Sequence, residues 1–110
     1  METVMTKTLT VSQPNINGDS RQTLIDELHT SITSLTKAIE NVREMTIHGR
    51  NFQTLQDGAH KYAIARIEQE NRITALFNVR EELFALLSAI HDNEITIKAH
   101  VLPFANIQGE

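Results

Sequence analysis

The chain has no cysteine. Disulfides, thiolate nucleophiles and thiolate metal sites are therefore excluded, and with them zinc-finger, thioredoxin-like and cysteine-hydrolase chemistry. Tryptophan is also absent, and the aromatic side chains are confined to Phe52, Phe77, Phe84, Phe104 and Tyr62. A core must then be assembled from Ile, Leu, Val and Ala, a composition that favours helix packing. No stretch approaches the roughly 18–20 apolar residues of a membrane span, and Met1 to Thr10 lacks the charged-then-apolar order of a secretory leader. The expectation is a soluble, cytoplasmic protein with no membrane partner. Positive charge is scarce as well: 10 Lys and Arg stand against 14 Asp and Glu, for a formal charge of -4. Phosphate backbones demand clustered Lys and Arg, so nucleic acid is a poor candidate partner. Gly-x-Ser-x-Gly, a phosphate loop and His-Glu-x-x-His are all missing, and the adjacent Glu81 and Glu82 point to different sides of a helix. Asp26 and His29 have the three-residue spacing of ferritin-like sites, but the second helix offers no matching carboxylate-x-x-His. The chain reads as a non-enzyme, with no catalytic residues, no metal and no cofactor.

What is present is a well-patterned chain of 110 residues, 40% hydrophobic and 22% charged, enough for a single packed domain over 1–110. Met5, Lys7, Leu9 and Val11 alternate with Thr6, Thr8 and Thr10, which predicts a strand over 3–12. Pro14, Asn15, Asn17 and Gly18 break it, and Asp19 or Ser20 is placed to cap a helix. Ile25, Leu28, Ile32, Leu35, Ile39 and Val42 then recur at alternating spacings of three and four, the seam of a coiled coil, so the helix is expected over 20–47. Gly49 fits the left-handed position past a helix end. A second helix, capped by Asp57, is expected over 57–91, with Ile73, Leu76, Leu83, Leu87 and Ile90 on one stripe and Phe77, Val79, Phe84 and Leu86 widening it. Asp92 and Asn93 end it, and the alternation of Ile95, Ile97, Ala99 and Val101 predicts a strand over 94–102.

The fold class is thus mainly α: a long antiparallel helical hairpin with short N- and C-terminal β-strands. A two-stranded ribbon and a two-helix core are both marginal alone, so a homo-oligomeric bundle is expected, with strands joining across subunits. The alternative is a monomer whose strands fold back over the C-terminal half of the second helix. Arg80 falls between Leu76 and Leu83 on the core stripe and needs a partner; a hairpin pivoting near Phe52 brings residue 25 opposite 80 and nominates Asp26 or Asp19.

The candidate site is the turn and the helix that follows it. Arg50 can fork onto a phosphate or carboxylate, Phe52 can stack on a base, Asn51 and Gln53 can read polar edges, and His48 can donate to an anion. Tyr62, Arg66, Gln69 and Arg72 follow at helical spacing, so ligand-binding residues are expected at His48, Arg50, Asn51, Phe52, Gln53, Tyr62, Arg66 and Arg72. The plainer alternative has Phe52 plugging the hairpin end, with Arg66–Glu70 and Glu68–Arg72 pairs lacing a solvated face.

The segment 47–90, with its His48-Gly49-Arg50-Asn51-Phe52-Gln53 turn between two helices and Glu68 and Arg72 on the second, resembles small phage and prophage accessory proteins. That resemblance implies a phage gene acting inside a bacterial host cell, where such proteins inhibit host defence by binding a defence protein or by sequestering a nucleotide signal between subunits. Two functions follow as expectations. One is a homo-oligomer that binds a small anionic ligand or nucleotide; the other is an interaction module or inhibitor that docks on a host protein through helix faces and strand edges.

Overall fold

The computed structural model describes residues 5–13 and 18–105. Strand β1 (Met5–Thr10) leads to helix α1 (Gly18–Arg43), a short 3-10 turn (Gly49–Phe52), helix α2 (Gly58–Asp92) and strand β2 (Thr96–Val101). β1 ends at Thr10 and β2 starts at Thr96 and ends at Val101, inside the bounds that the periodicity implied; residues 3–4 and the expected chain break at Pro14, Asn15 and Asn17 lie outside the described residues. Helix α1 already begins at Gly18, so Asp19 and Ser20, expected just before the helix, fall in its first turn.

The other end of α1 is also corrected. It stops at Arg43, not at residue 47. The residues beyond include Thr46 and Ile47, whose branched Cβ atoms crowd the preceding helical turn. The main chain closes with Met45 N–H donating to the Val42 carbonyl at 3.1 Å. A second donor reaches that same carbonyl from α2, the side-chain amide of Gln69 at 2.8 Å. At the far end of α2, Asn93 is left-handed with φ 59°. Its N–H bonds Ile90 O while Glu94 N–H bonds Ala89 O at 3.0 Å, the paired closure of a Schellman motif.

The helices form the expected antiparallel hairpin. Arg21 Nη2 donates to the His91 carbonyl at 2.8 Å, Arg80 Nη1 to Thr36 Oγ1 at 3.1 Å, and Gln69 to Val42. The nominated Arg80 partner Asp26 is replaced by Thr36 and by the ring of Phe77, whose centroid lies 4.7 Å from the guanidinium carbon; the side chain of Asp19, the other nominee, lies outside the described residues. The cause is register. With Gln69 level with the end of α1, the segment 58–68 at the start of α2 runs on alone, about 16 Å of helix, and the connector 44–57 folds along this overhang instead of turning sharply at Phe52.

The strands pair with each other within one chain, antiparallel, from Met5 opposite Val101 to Thr10 opposite Thr96. The ribbon folds back over the C-terminal half of α2, the arrangement weighed as the alternative to pairing across subunits. Asn78 anchors it at both ends of its amide: Nδ2 donates to the Leu102 carbonyl at 2.9 Å, and Oδ1 accepts from the Leu102 N–H at 2.8 Å. Lys7 reaches Glu82 at 3.0 Å. The core gathers where the ribbon, the first half of α1 and the last half of α2 meet, around Val11, Ile25, Ile32, Leu87, Ala89 and Ile90. The molecule measures 62 × 25 × 19 Å.

Candidate functional site

The connector is built from main-chain bonds that stack one turn on the next. Asn51 N–H donates to the His48 carbonyl at 3.1 Å and Leu55 N–H to the Phe52 carbonyl at 3.2 Å. That same Phe52 oxygen lies against the start of α2 so tightly that a Cβ on Gly58 would stand 2.0 Å from it. Asp57 precedes the helix but does not cap it with its side chain. Its backbone is left-handed, φ 60°, whereas a capping side chain reaches the first helical amides from an extended backbone. Gly49 is corrected as well. No glycine among the described residues has a positive φ, and α1 has ended before it. Gly49 instead opens the 3-10 turn and lies against the Tyr62 ring, which a Cβ would meet at 3.6 Å.

Folded this way, the connector and the overhang of α2 enclose an open groove of ≈ 320 Å³ lined by Gly49, Phe52, Gln53, Gly58, Ala59 and Tyr62. The Phe52 and Tyr62 rings are 5.8 Å apart and tilted by 49°, within the range of favourable aromatic pairs. One helical turn on, the Arg66 guanidinium carbon lies 5.7 Å from the Tyr62 centroid, within reach of a cation–π contact. The groove thus presents two half-buried aromatic faces, one amide and a cation at its side, and no carboxylate lines it. Its volume falls at the lower end of small-molecule sites.

The eight expected site residues divide into groups. Phe52, Gln53 and Tyr62 line the groove and Arg66 flanks it. Arg50 and Asn51 are exposed on the 3-10 turn next to it without lining it. His48 Nε2 shares a hydrogen bond with Thr46 Oγ1 at 2.8 Å. Arg72 is elsewhere: ten residues beyond Tyr62, about 15 Å along the helix, it donates from Nη1 to Gln69 Oε1 at 3.0 Å. Gln69, expected on the ligand stripe, is 6% exposed and closes the end of α1. The alternative ion pairs Arg66–Glu70 and Glu68–Arg72 do not form; those found among the described residues are Lys7–Glu82 and Lys37–Glu40.

Sequence reasoning missed Gly58 and Ala59, and a glycine beside a helix start is the signal that points to the first. Among the described residues no three His, Asp or Glu side chains cluster as metal ligands, and Asp26 accepts instead from Gln22 Nε2 at 2.8 Å. No helix among the described residues is long and apolar enough to cross a membrane. In comparisons with known proteins, no family model, no curated protein and no solved structure matches the chain.

Proposed function

We propose that the chain is a non-enzymatic, homo-oligomeric binding protein whose groove at the connector takes a small planar anion of the nucleotide type. One observation carries the reading: the Phe52 and Tyr62 rings, 5.8 Å apart, stand beside Arg66 with no competing carboxylate in the lining. A base stacks on the rings, Gln53 meets its polar edge, and Arg66, with Arg50 exposed on the neighbouring turn, attracts the charged end. His48 and Arg72, engaged with Thr46 and Gln69, are left out of this site. The resemblance to phage accessory proteins supplies the setting, sequestration of a host nucleotide signal.

Thermal melting against linear and cyclic nucleotides tests the proposal. A ligand at one hundred times its dissociation constant adds about 2.7 kcal/mol, a shift of about 10 °C for a chain of this size. The shift should disappear in Tyr62→Ala and shrink in Arg66→Gln. No shift across the panel, or one that survives Tyr62→Ala, refutes the groove as the site.

A second reading, an interaction module that docks on a host protein, is favoured by the exposed apolar side chains Phe84, Ile95 and Phe104, 45%, 66% and 57% exposed. Capture of one defined host protein, abolished by Phe84→Ala but not by Phe52→Ala, would select it over the ligand groove.

A further inference from the structure

The coiled-coil seam of α1 is covered on one side only. Ile25, Ile32 and Ile39 are buried, but Leu24, Leu28, Leu35 and Val42 remain half-exposed. Near the ribbon, Leu24 and Leu28 form, with Leu86 and Ile90 of α2, the apolar wall of an open groove of ≈ 260 Å³. One heptad before Leu86, Val79 is 45% exposed. The ribbon side borders this groove only at one end, through Thr10 and Ser12, and its polar contacts, to Asn78 and Glu82, fall on a different face of α2, so the strip running on toward Leu35 and Val79 takes no cover from it.

The chain as a whole leaves more surface exposed than an interface of this kind would cover. A compact chain of 12.4 kDa exposes roughly 6,100 Å², whereas this one exposes 7885 Å², an excess of roughly 1,800 Å². Standard interfaces cover about 800 Å² on each partner and obligate ones about 1,000–2,500 Å². The radius of gyration, 18.7 Å, likewise exceeds the roughly 13 Å of a compact domain this long.

We propose that a second copy of the chain covers this strip, antiparallel to the first, about a two-fold axis near Leu35. The inference rests on the oligomeric part of the reading above and specifies its interface. Charge selects the direction. Glu27 borders the strip at the ribbon end, and Arg72, one heptad before Val79 and exposed, borders it at the other. An antiparallel partner sets Glu27 of each copy near Arg72 of the other, while a parallel one sets like charges together. Leu35 lies midway between these levels, so it meets its own counterpart, as an isologous contact requires.

The absence of native cysteine makes the test clean. Solution mass is measured for the unaltered chain, and Leu35→Cys and Phe84→Cys are each treated with a short bis-maleimide. A dimer in which Leu35→Cys cross-links and Phe84→Cys does not, with Leu35→Lys weakening the dimer roughly 30-fold or more at unchanged helicity, is the expected result. Should Leu35→Lys fail to fold, the milder cysteine pair still decides. A dimer that cross-links through Phe84→Cys but not Leu35→Cys overturns this interface and leaves the oligomer standing. A monomeric native mass overturns the oligomer itself and leaves the nucleotide groove to its own melting test.

Discussion

Two glycines flank the aromatic groove, and their surroundings give them opposite sensitivities. A Cβ on Gly58 would stand 2.0 Å from the Phe52 carbonyl oxygen, where ordinary contact begins at 3.4 Å. The obstacle is main chain, already held by the Leu55 N–H at 3.2 Å, so it cannot swing aside as a side chain would. Relief requires either unwinding the first turn of α2, with loss of the Lys61 N–H bond to Asp57 O, or lifting the 3-10 turn off the helix and separating Phe52 from Tyr62. Overpacking of this kind together with one lost hydrogen bond costs about 2–4 kcal/mol, which lowers the melting temperature of a chain this size by about 8–16 °C. At Gly49 a Cβ would touch only the Tyr62 ring, at 3.6 Å, and the backbone is not left-handed. Gly49→Ala is therefore expected to lie between neutral and about 1 kcal/mol stabilising, through the lower entropy of the unfolded chain. Circular-dichroism melts of the two single variants decide the matter. If Gly58→Ala melts within about 2 °C of the parent, or Gly49→Ala falls as far as Gly58→Ala, the connector does not pack on α2 in the way that creates the groove.

Asn78→Leu removes both bonds to the Leu102 main chain and should destabilise by about 2–3 kcal/mol, with faster hydrogen exchange along β2; unchanged protection would mean that the ribbon is held by its apolar contacts alone. Arg80 Nε is buried without a partner among the described residues, so Arg80→Met should be neutral or stabilise by about 1 kcal/mol in urea titrations, and a loss above about 2 kcal/mol would show that the guanidinium is fully satisfied.

The elements themselves could be read because each is announced locally. The threonine alternation and the heptads are periods within a single segment, and they located two strands and two helices. Register is different. It depends on how residues 44–57 fold, and no period runs through them. A sharp turn at Phe52 would set residue 25 across from Arg80; the bonds of Gln69 to Val42 and of Arg21 to His91 instead set residues 31–32 there, about two turns further along α1, and the Arg80 side chain reaches on to Thr36. Arg80 consequently meets a hydroxyl and a ring in place of a carboxylate. Spacing likewise could not tell strands that pair within a chain from strands that pair between copies, since the alternation is the same in both. That choice shows in Asn78 and Glu82, which hold the ribbon and the residue after it against α2.

The site was half visible for the same reason. Tyr62, Gln69, Leu76, Leu83 and Ile90 succeed one another at seven-residue intervals, so they share one face of α2. From the sequence, the polar members of that face look like a ligand stripe and the apolar members like a core. In the structure the face is continuous and its cover changes. From Gln69 onward α1 lies against it, and Gln69 stands level with the end of α1, where a side-chain donor serves the Val42 carbonyl. Before Gln69 there is no helix opposite, because α2 has 35 residues and α1 only 26. A connector must cover Tyr62, and an irregular chain fills space less completely than a helix does. Gly49 and Phe52 rest on the Tyr62 ring, and the gap that remains beside them is the groove. The mismatch in helix length therefore accounts for both the buried glutamine and the open aromatic site one heptad before it.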